Sequence, residues 1–426
     1  MTDQARQDPQ PAGVAARGAA LRLLEAVLRR GLPLESALDN ALRGIERADD
    51  RALAHALAAE VLRRLPDLDA LIDSATAKTL PGDAKARSVL RIALVQALQL
   101  NTPPHAAIAT VLPLVDGGPR RLVHGVFGAL MRRGVGLPTV PTLPEGVPER
   151  WREAWGDDAV AAAALAIAAP PPLDLSLRNW SEDWVETLGG VSLAPGHVRL
   201  AAGGARVTEL PGFTEGAWWV QDISASLPAR LIGPGRGRAL DLCAAPGGKT
   251  MQLAAADWDV TAVDMAEARL IRVRDNLKRT NLKARLVTGD ALTFRDEPFD
   301  AVLLDAPCSA TGIFRRHPDV LHRSRPRAIA GLAERQQAML ARAASLVKPG
   351  GLLLYSVCSL ERAEGEMVAD AFLASHIGFG GEPVEASELP RGLFPDGQGR
   401  VRILPGALAA QGGADGFFIV RFRHSG

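Results

Sequence analysis

Apolar residues return about every three to four positions through residues 14–133. In RGAALRLLEAVLRRG, Ala20, Leu23, Leu24, Val27 and Leu28 share one face and arginines take the other, which is the spacing of an amphipathic helix. Gly31 follows, a residue that often closes a helix. The pattern repeats through Leu53, Leu57, Val61 and Leu62 in DDRALAHALAAEVLRRL, and again in ARSVLRIALVQALQL and PRRLVHGVFGALMRR. Helices of this length with short breaks predict an all-α bundle over residues 14–135.

The repeat stops at GVGLPTVPTLPEGVP, where glycine and proline predominate. Such a stretch reads as a linker, stiffer where the prolines lie, and the linker is expected over 136–169. Short strand-like pieces and turns from PPPLDLSLRNW to GAWWVQDISAS predict a small α+β module over 170–230. From 231 to 426 the texture changes again. GRALDLCAAPGGKTMQLAAA and DVTAVDMAEARLIRVRDNLKRTNL each read as a strand followed by a helix. ARLVTGDALTF, FDAVLLDAP and GGLLLYSVCSL supply three further strands, with a helix between the last two. Alternating strands and helices predict a mostly parallel sheet covered on both faces. Ligands of such sheets bind at the carboxyl ends of the strands.

Composition adds bounds. At 426 residues, with 23% charged and 47% hydrophobic residues, the chain has globular composition and room for two or three domains. Its three cysteines, Cys243, Cys308 and Cys358, form neither a disulfide framework nor a paired zinc motif. That sparse usage predicts a reducing, cytoplasmic setting. No apolar run is long enough for a membrane span. The opening MTDQARQDPQPAG lacks the apolar core of a secretory signal and reads as a disordered lead-in. The net charge of +1 says nothing about nucleic acid, but residues 315–335 carry a local excess. Arg315, Arg316, Arg323, Arg325, Arg327 and Arg335 there face only Asp319 and Glu334. Such a stretch suits phosphate contacts, and equally a solvated helix face.

The candidate chemistry sits at strand ends. DLCAAPGGKT places a Pro-Gly-Gly turn between the first strand and a helix start, where backbone can approach a ligand closely. It is neither a phosphate-binding G-x-x-x-x-G-K-[ST] loop nor G-x-G-x-x-G. Asp264 ends the second strand, 23 residues after Asp241, where a carboxylate can take both hydroxyls of a ribose. Asp290 ends the third, where an adenine amino group would lie. Either could instead cap the helix or turn that follows. Cys308 in LLDAPCSATG and Cys358 in LLYSVCSLERAEGE each follow an apolar run. They are working thiols of one site or small buried hydrophobes, and spacing alone does not choose. Trp218 and Trp219 read better as core than as base-stacking residues. Arg269 reads as part of a solvated helix face.

DLCAAPGGKT, DAPCSATG and YSVCSLERAEGE, in this order, resemble the RNA 5-methylcytosine methyltransferases of the NOL1/NOP2/Sun family, which use S-adenosylmethionine. GIFRRHPDV and the helical N-terminus resemble more narrowly the bacterial group acting on 16S ribosomal RNA, in which a NusB-like domain precedes the catalytic part. The catalytic resemblance spans about residues 170–424, closing with DGFFIVRF, and the NusB-like one about 14–135. His124 stands where the helical domain usually has Asn, and Val357 where the catalytic motif usually has Thr.

The resemblance implies a multidomain chain: an all-α NusB-like bundle, a small α+β module and an α/β Rossmann-like class I methyltransferase domain. It implies Cys358 as the nucleophile, Cys308 in product release and Asp305 near N3 of the base. It implies cofactor contacts from Cys243, Ala244, Ala245, Pro246, Gly247, Gly248, Lys249, Asp264, Asp290 and Asp305. Arg315, Arg316 and His317 directly follow the Cys308 motif and are the expected RNA contacts. The expected partner is 16S ribosomal RNA, met by a monomer without metal or membrane. Two alternatives stand beside this reading. One keeps the chemistry and takes transfer RNA as substrate; the other is a non-catalytic RNA-binding ribosome-assembly factor. An amino-methyltransferase would need Asn/Asp-Pro-Pro-aromatic where this chain has DAPC.

Overall fold

A computed structural model describes residues 13–204 and 206–426; most of the lead-in expected at the N-terminus lies outside the described residues. The chain divides into two units. One comprises the residues up to Arg150 together with His317–Arg323, and the other Trp151–Arg316 with Ser324–Gly426. Among the described residues no helix is long and apolar enough to cross a membrane.

In the first unit the apolar stripes become helices. Val14–Leu28, Ala48–Arg63, Lys85–Leu98 and Gly117–Arg132 are the longest. The stripe read in the first of them is buried: Ala20, Leu23, Leu24 and Val27 join Leu57, Leu90, Leu94 and Phe127 in one core. Charges within this core are paired. Arg91 binds Asp69 through both carboxylate oxygens at 2.8 Å, and Arg87 reaches Asp69 and Asp73, as buried charges require. The short helix Asp319–Arg323 belongs to this unit. Asp319 accepts from the backbone N–H of Leu34 at 3.2 Å, and His322 Nε2 donates to Leu62 O at 2.8 Å.

The second unit holds two sheets. The smaller joins β1 (Leu173–Leu177), β2 (His197–Leu200) and β3 (Trp218–Val220) antiparallel in the order β2-β1-β3. Asp174 on β1 is buried and held by Arg199 through both oxygens at 2.7 Å. Trp218 and Trp219 are 0% and 3% exposed, core residues rather than a stacking platform.

The larger sheet contains β4 (Arg238–Leu242), β5 (Asp259–Asp264), β6 (Arg285–Thr288), β7 (Phe299–Asp305), β8 (Val347–Val357), β9 (Phe379–Gly381), β10 (Val401–Ile403) and β11 (Phe417–His424). Its order is β10-β11-β8-β7-β4-β5-β6, with β9 also on β11. The pairs among β4 to β8 are parallel, and β11 runs antiparallel to β8, β9 and β10. The five expected strands form the parallel part.

The linker expected over 136–169 is only partly one. Helices Val147–Trp155 and Asp157–Ala166 occupy most of it from residue 147 onward. Alanine is the strongest helix former and fills Asp157–Ala166. Trp151 is 1% exposed against Phe314, and Trp155 Nε1 donates to Leu360 O at 2.8 Å. The prolines before this stretch obscured the helical pattern inside it.

Candidate active site

The site is built where parallel strands end. β4 lies between β5 and β7, and β7 pairs with β8 in a register that sets Asp305 opposite Ser356. Motifs that follow these strands therefore emerge at one edge of the sheet, although the chain separates them widely.

The turn after β4 is shaped by glycine. Gly247 has φ 103°, and a Cβ there would come within 3.0 Å of Val273, so only glycine fits without strain. It caps helix Gly248–Ala255. Asp264, 2% exposed at the end of β5, accepts from Ala245 N at 3.2 Å and Ala266 N at 3.1 Å. Arg269 closes the same corner. It lies 3.3 Å from Asp264 and donates to Ala245 O at 2.7 Å. Arg269 is exposed, as expected of a solvated helix face, and is also tied to the turn; its position in the first helical turn after Asp264 was the signal for that contact. Asp290 Oδ1 accepts from Leu292 N at 3.0 Å. A cavity beside these groups is lined by Asp264, Met265, Asp290, Pro307, Arg335 and Met339. Met265, Pro307, Arg335 and Met339 were not among the expected cofactor contacts; the last two come from helix Pro326–Ala344. An apolar hollow of about 720 Å³ elsewhere on this unit is larger but gathers no strand-end carboxyls.

Asp241, fully buried under the turn, receives the Thr250 hydroxyl at 2.5 Å through one oxygen. Its other oxygen has no protein partner. Burial pushes this carboxyl up to about 7. Burial and the charges of Asp305 and Asp264 push the Cys243 thiol up to about 12, which leaves it inert near neutrality.

Lys249, on the helix after the turn, places Nζ 2.6 Å from Asp305 Oδ2, and the Ser356 hydroxyl donates to Oδ1 at 2.8 Å. Three and two residues beyond Asp305 and Ser356 come Cys308 and Cys358, whose Sγ atoms are 3.5 Å apart. Gly312 N donates to Cys358 O at 3.0 Å and ties the two loops. The bond to Cys358, then burial, then the nearby charges of Cys358 and Glu364 hold the Cys308 thiol well above its ordinary pKa. Val357, in place of the usual Thr, is fully buried among apolar residues, where a hydroxyl would need a partner.

Of the three residues expected at RNA, the two arginines are held by partners within the fold. Arg315 is 5% exposed and donates to Gly412 O at 2.7 Å. Arg316 sits between Asp415 and Asp222, at 2.9 and 2.7 Å. These guanidiniums are engaged inside the fold, so the local charge count overstated the surface charge. His317 belongs to the first unit, 3.8 Å from Glu35.

Comparisons with known proteins agree with this architecture. Residues 234–423 match the family described as 16S rRNA methyltransferase RsmB/F, and residues 14–126 match the NusB family. Ribosomal RNA small subunit methyltransferase B of Xylella fastidiosa strain Temecula1 is 38% identical, covering 96% of this chain and 98% of that protein. The protein of the same name from Klebsiella pneumoniae strain MGH 78578 is 36% identical over 84% of this chain and 89% of its own. Among solved structures, that titled PH0851 matches with TM-score 0.75 at 22% identity, covering 96% of this chain and 98% of that one. A methyltransferase homologue from Pyrococcus horikoshii matches with TM-score 0.55 at 27% identity, over 65% and 93% of the two chains. With relatives this similar along nearly its whole length, the chain belongs to the RsmB/F family of rRNA methyltransferases, whose methyl donor is S-adenosylmethionine.

Proposed function

We propose that this protein methylates carbon 5 of a cytosine in 16S ribosomal RNA, in the cytoplasm, through a covalent bond between Cys358 and the base. The observation that carries the reading is the pair of thiols 3.5 Å apart beside the Lys249–Asp305 pair. Carbon 5 of cytosine is a poor nucleophile, and adding a thiolate to carbon 6 corrects that.

The site fits S-adenosylmethionine. The glycine turn admits close approach, Asp264 and Asp290 line the cavity, and one Asp241 oxygen under the turn lacks a protein partner. Residues Cys243 to Lys249 would hold the amino-acid end together with Asp305, Asp264 the ribose and Asp290 the adenine. Bound, this cofactor supplies a methyl group activated by sulfonium.

The chain's own groups do the rest. The target base has to leave its stack to reach a site recessed at the sheet edge. The Cys358 thiolate, which receives a hydrogen bond from the Cys308 thiol, bonds to carbon 6. The displaced electron pair runs toward N3, where the proton held between Lys249 and Asp305 meets it. Carbon 5 then carries enamine character and accepts the methyl group. Its remaining proton passes to solvent, the carbon–carbon double bond returns, the Cys358 thiolate leaves into the hydrogen bond of Cys308, and N3 gives its proton back to the Lys249–Asp305 pair.

Two variants test the assignment. Cys358→Ala abolishes methylation of ribosomal RNA, while Cys308→Ala stalls as a protein–RNA adduct stable to denaturant. Full activity of the first variant, with no adduct from the second, would overturn it. Mapping of 5-methylcytosine in ribosomal and transfer RNA from a deletion strain identifies the substrate.

A further inference from the structure

Each cysteine of the pair is followed by a serine, and both serines end on one buried carboxyl. Glu364 is 0% exposed and lies just before helix Glu366–Ser375. Its Oε1 accepts from the backbone N–H of Ser309 at 2.8 Å and from Gln336 Nε2 at 3.0 Å. Its Oε2 accepts from the Ser359 hydroxyl at 2.5 Å and from the Ser309 hydroxyl. Gln336 Nε2 also donates to Pro307 O at 3.0 Å, on the other side of Cys308. The Tyr355 hydroxyl donates to Glu364 O at 2.5 Å and fixes the backbone that carries the carboxyl.

The thiols themselves lie beyond the paired strands. The β7–β8 register ends at Asp305 and Ser356, so the separation of the two sulfurs is set by loops. Four donors from three elements converge on Glu364, and each thiol is one residue from a serine bound there. A carboxyl buried in this way is costly unless its acceptor sites are filled. Here they are filled by the residues that bracket the chemistry.

We propose that Glu364 is the positioning residue that holds Cys308 and Cys358 within hydrogen-bonding reach of each other, an inference that rests on reading these thiols as reaction groups. Its negative charge also opposes ionisation of Cys308, after the effects of the Cys358 bond and of burial. The carboxyl therefore favours the arrangement in which Cys308 is the donor.

The test uses the purified full chain and Glu364→Gln, which keeps size but turns an amide N–H toward donors. Without RNA, diamide removes two hydrogens from neighbouring thiols, forming a disulfide and the hydrazine. We expect the Cys308–Cys358 disulfide, followed by peptide mapping, to form about tenfold more slowly in the variant, because proximity sets that rate. The kcat for methyl transfer falls by a similar factor of about ten, while KM for RNA and Kd for S-adenosylmethionine stay within about twofold. Ser359→Ala removes one donor and leaves the carboxyl in place; it shows the same slowing, about threefold, and serves if Glu364→Gln folds poorly. An unchanged disulfide rate in the folded variants overturns the inference. Absence of an adduct from Cys308→Ala would instead overturn the reading of function, and the disulfide rates would still decide the role of Glu364.

Discussion

Lys249 Nζ stands 2.6 Å from Asp305 Oδ2 and joins the helix after β4 to the end of β7. The two side chains are 11% and 30% exposed, so the contact is partly shielded from water yet reachable by a base. Because Ser356 holds the other carboxylate oxygen, the carboxyl has one defined orientation. Replacing Lys249 with Met removes the proton source and keeps the apolar stem. General acid–base groups contribute ~10²–10⁴-fold, so Lys249→Met should lower single-turnover methyl transfer by about 100-fold. A loss below about threefold would count against a role for this pair in the reaction.

Asp264 serves the turn as well as any ligand. Its two oxygens hold Ala245 N and Ala266 N, and Arg269 lies on the same carboxyl. Asp264→Ala should weaken S-adenosylmethionine binding by about tenfold or more, since losing a charged acceptor costs about 1.5–3 kcal/mol. Arg269→Ala should weaken it in the same direction by loosening Ala245. Calorimetric titration gives both affinities, and unchanged binding in Asp264→Ala would place the ribose elsewhere.

How much of this could be read in advance depends on the range of the interactions. Asp264, Asp305, Cys308 and Cys358 were legible because each closes or follows a short apolar run, and in a parallel sheet such ends share one edge. The setting of Arg316 was hidden for the opposite reason. Its partners Asp222 and Asp415 lie 94 and 99 residues away, and no local charge count contains them. Glu364 sat in plain view within LERAEGE, yet its function depends on Ser309, 55 residues earlier. Trp151 and Trp155 were hidden by a neighbouring Pro/Gly stretch that made their helix look like linker.

Arg316 separates a structural from an RNA-binding arginine. Removing it leaves Asp222 and Asp415 facing each other in a buried site, and burial already pushes Asp415 up to about 7. Breaking a buried pair by deleting one partner costs about 3–5 kcal/mol. Arg316→Ala should therefore lower the melting temperature by several degrees, and Asp415→Asn in the same chain should recover part of the loss. The salt dependence of RNA binding should stay as in the wild type, because a lost phosphate contact would reduce that slope by about one. A reduced slope with normal stability would return Arg316 to the RNA surface.

Asp241 gives the stability a pH dependence of known sign. Burial raises its carboxyl from 3.8 to about 7 in the folded chain, and the Thr250 bond offsets that only partly. A raised folded value means that the native state binds the proton more tightly than the unfolded chain does. The stabilisation is complete below the unfolded value near 3.8 and is lost as pH rises through about 7. Asp241→Asn removes the titration and keeps an acceptor for Thr250. The melting temperature of the wild type should therefore fall relative to this variant as pH is raised from about 5.5 to about 8.5. Asp415 titrates in both proteins and cancels in the comparison. Asp174, held low despite its burial by Arg199 and His197, acts only in more acid solution. Parallel melting curves across that range would show that Asp241 stays ionised in the fold, and would remove it as the proton-holding group beneath the glycine turn.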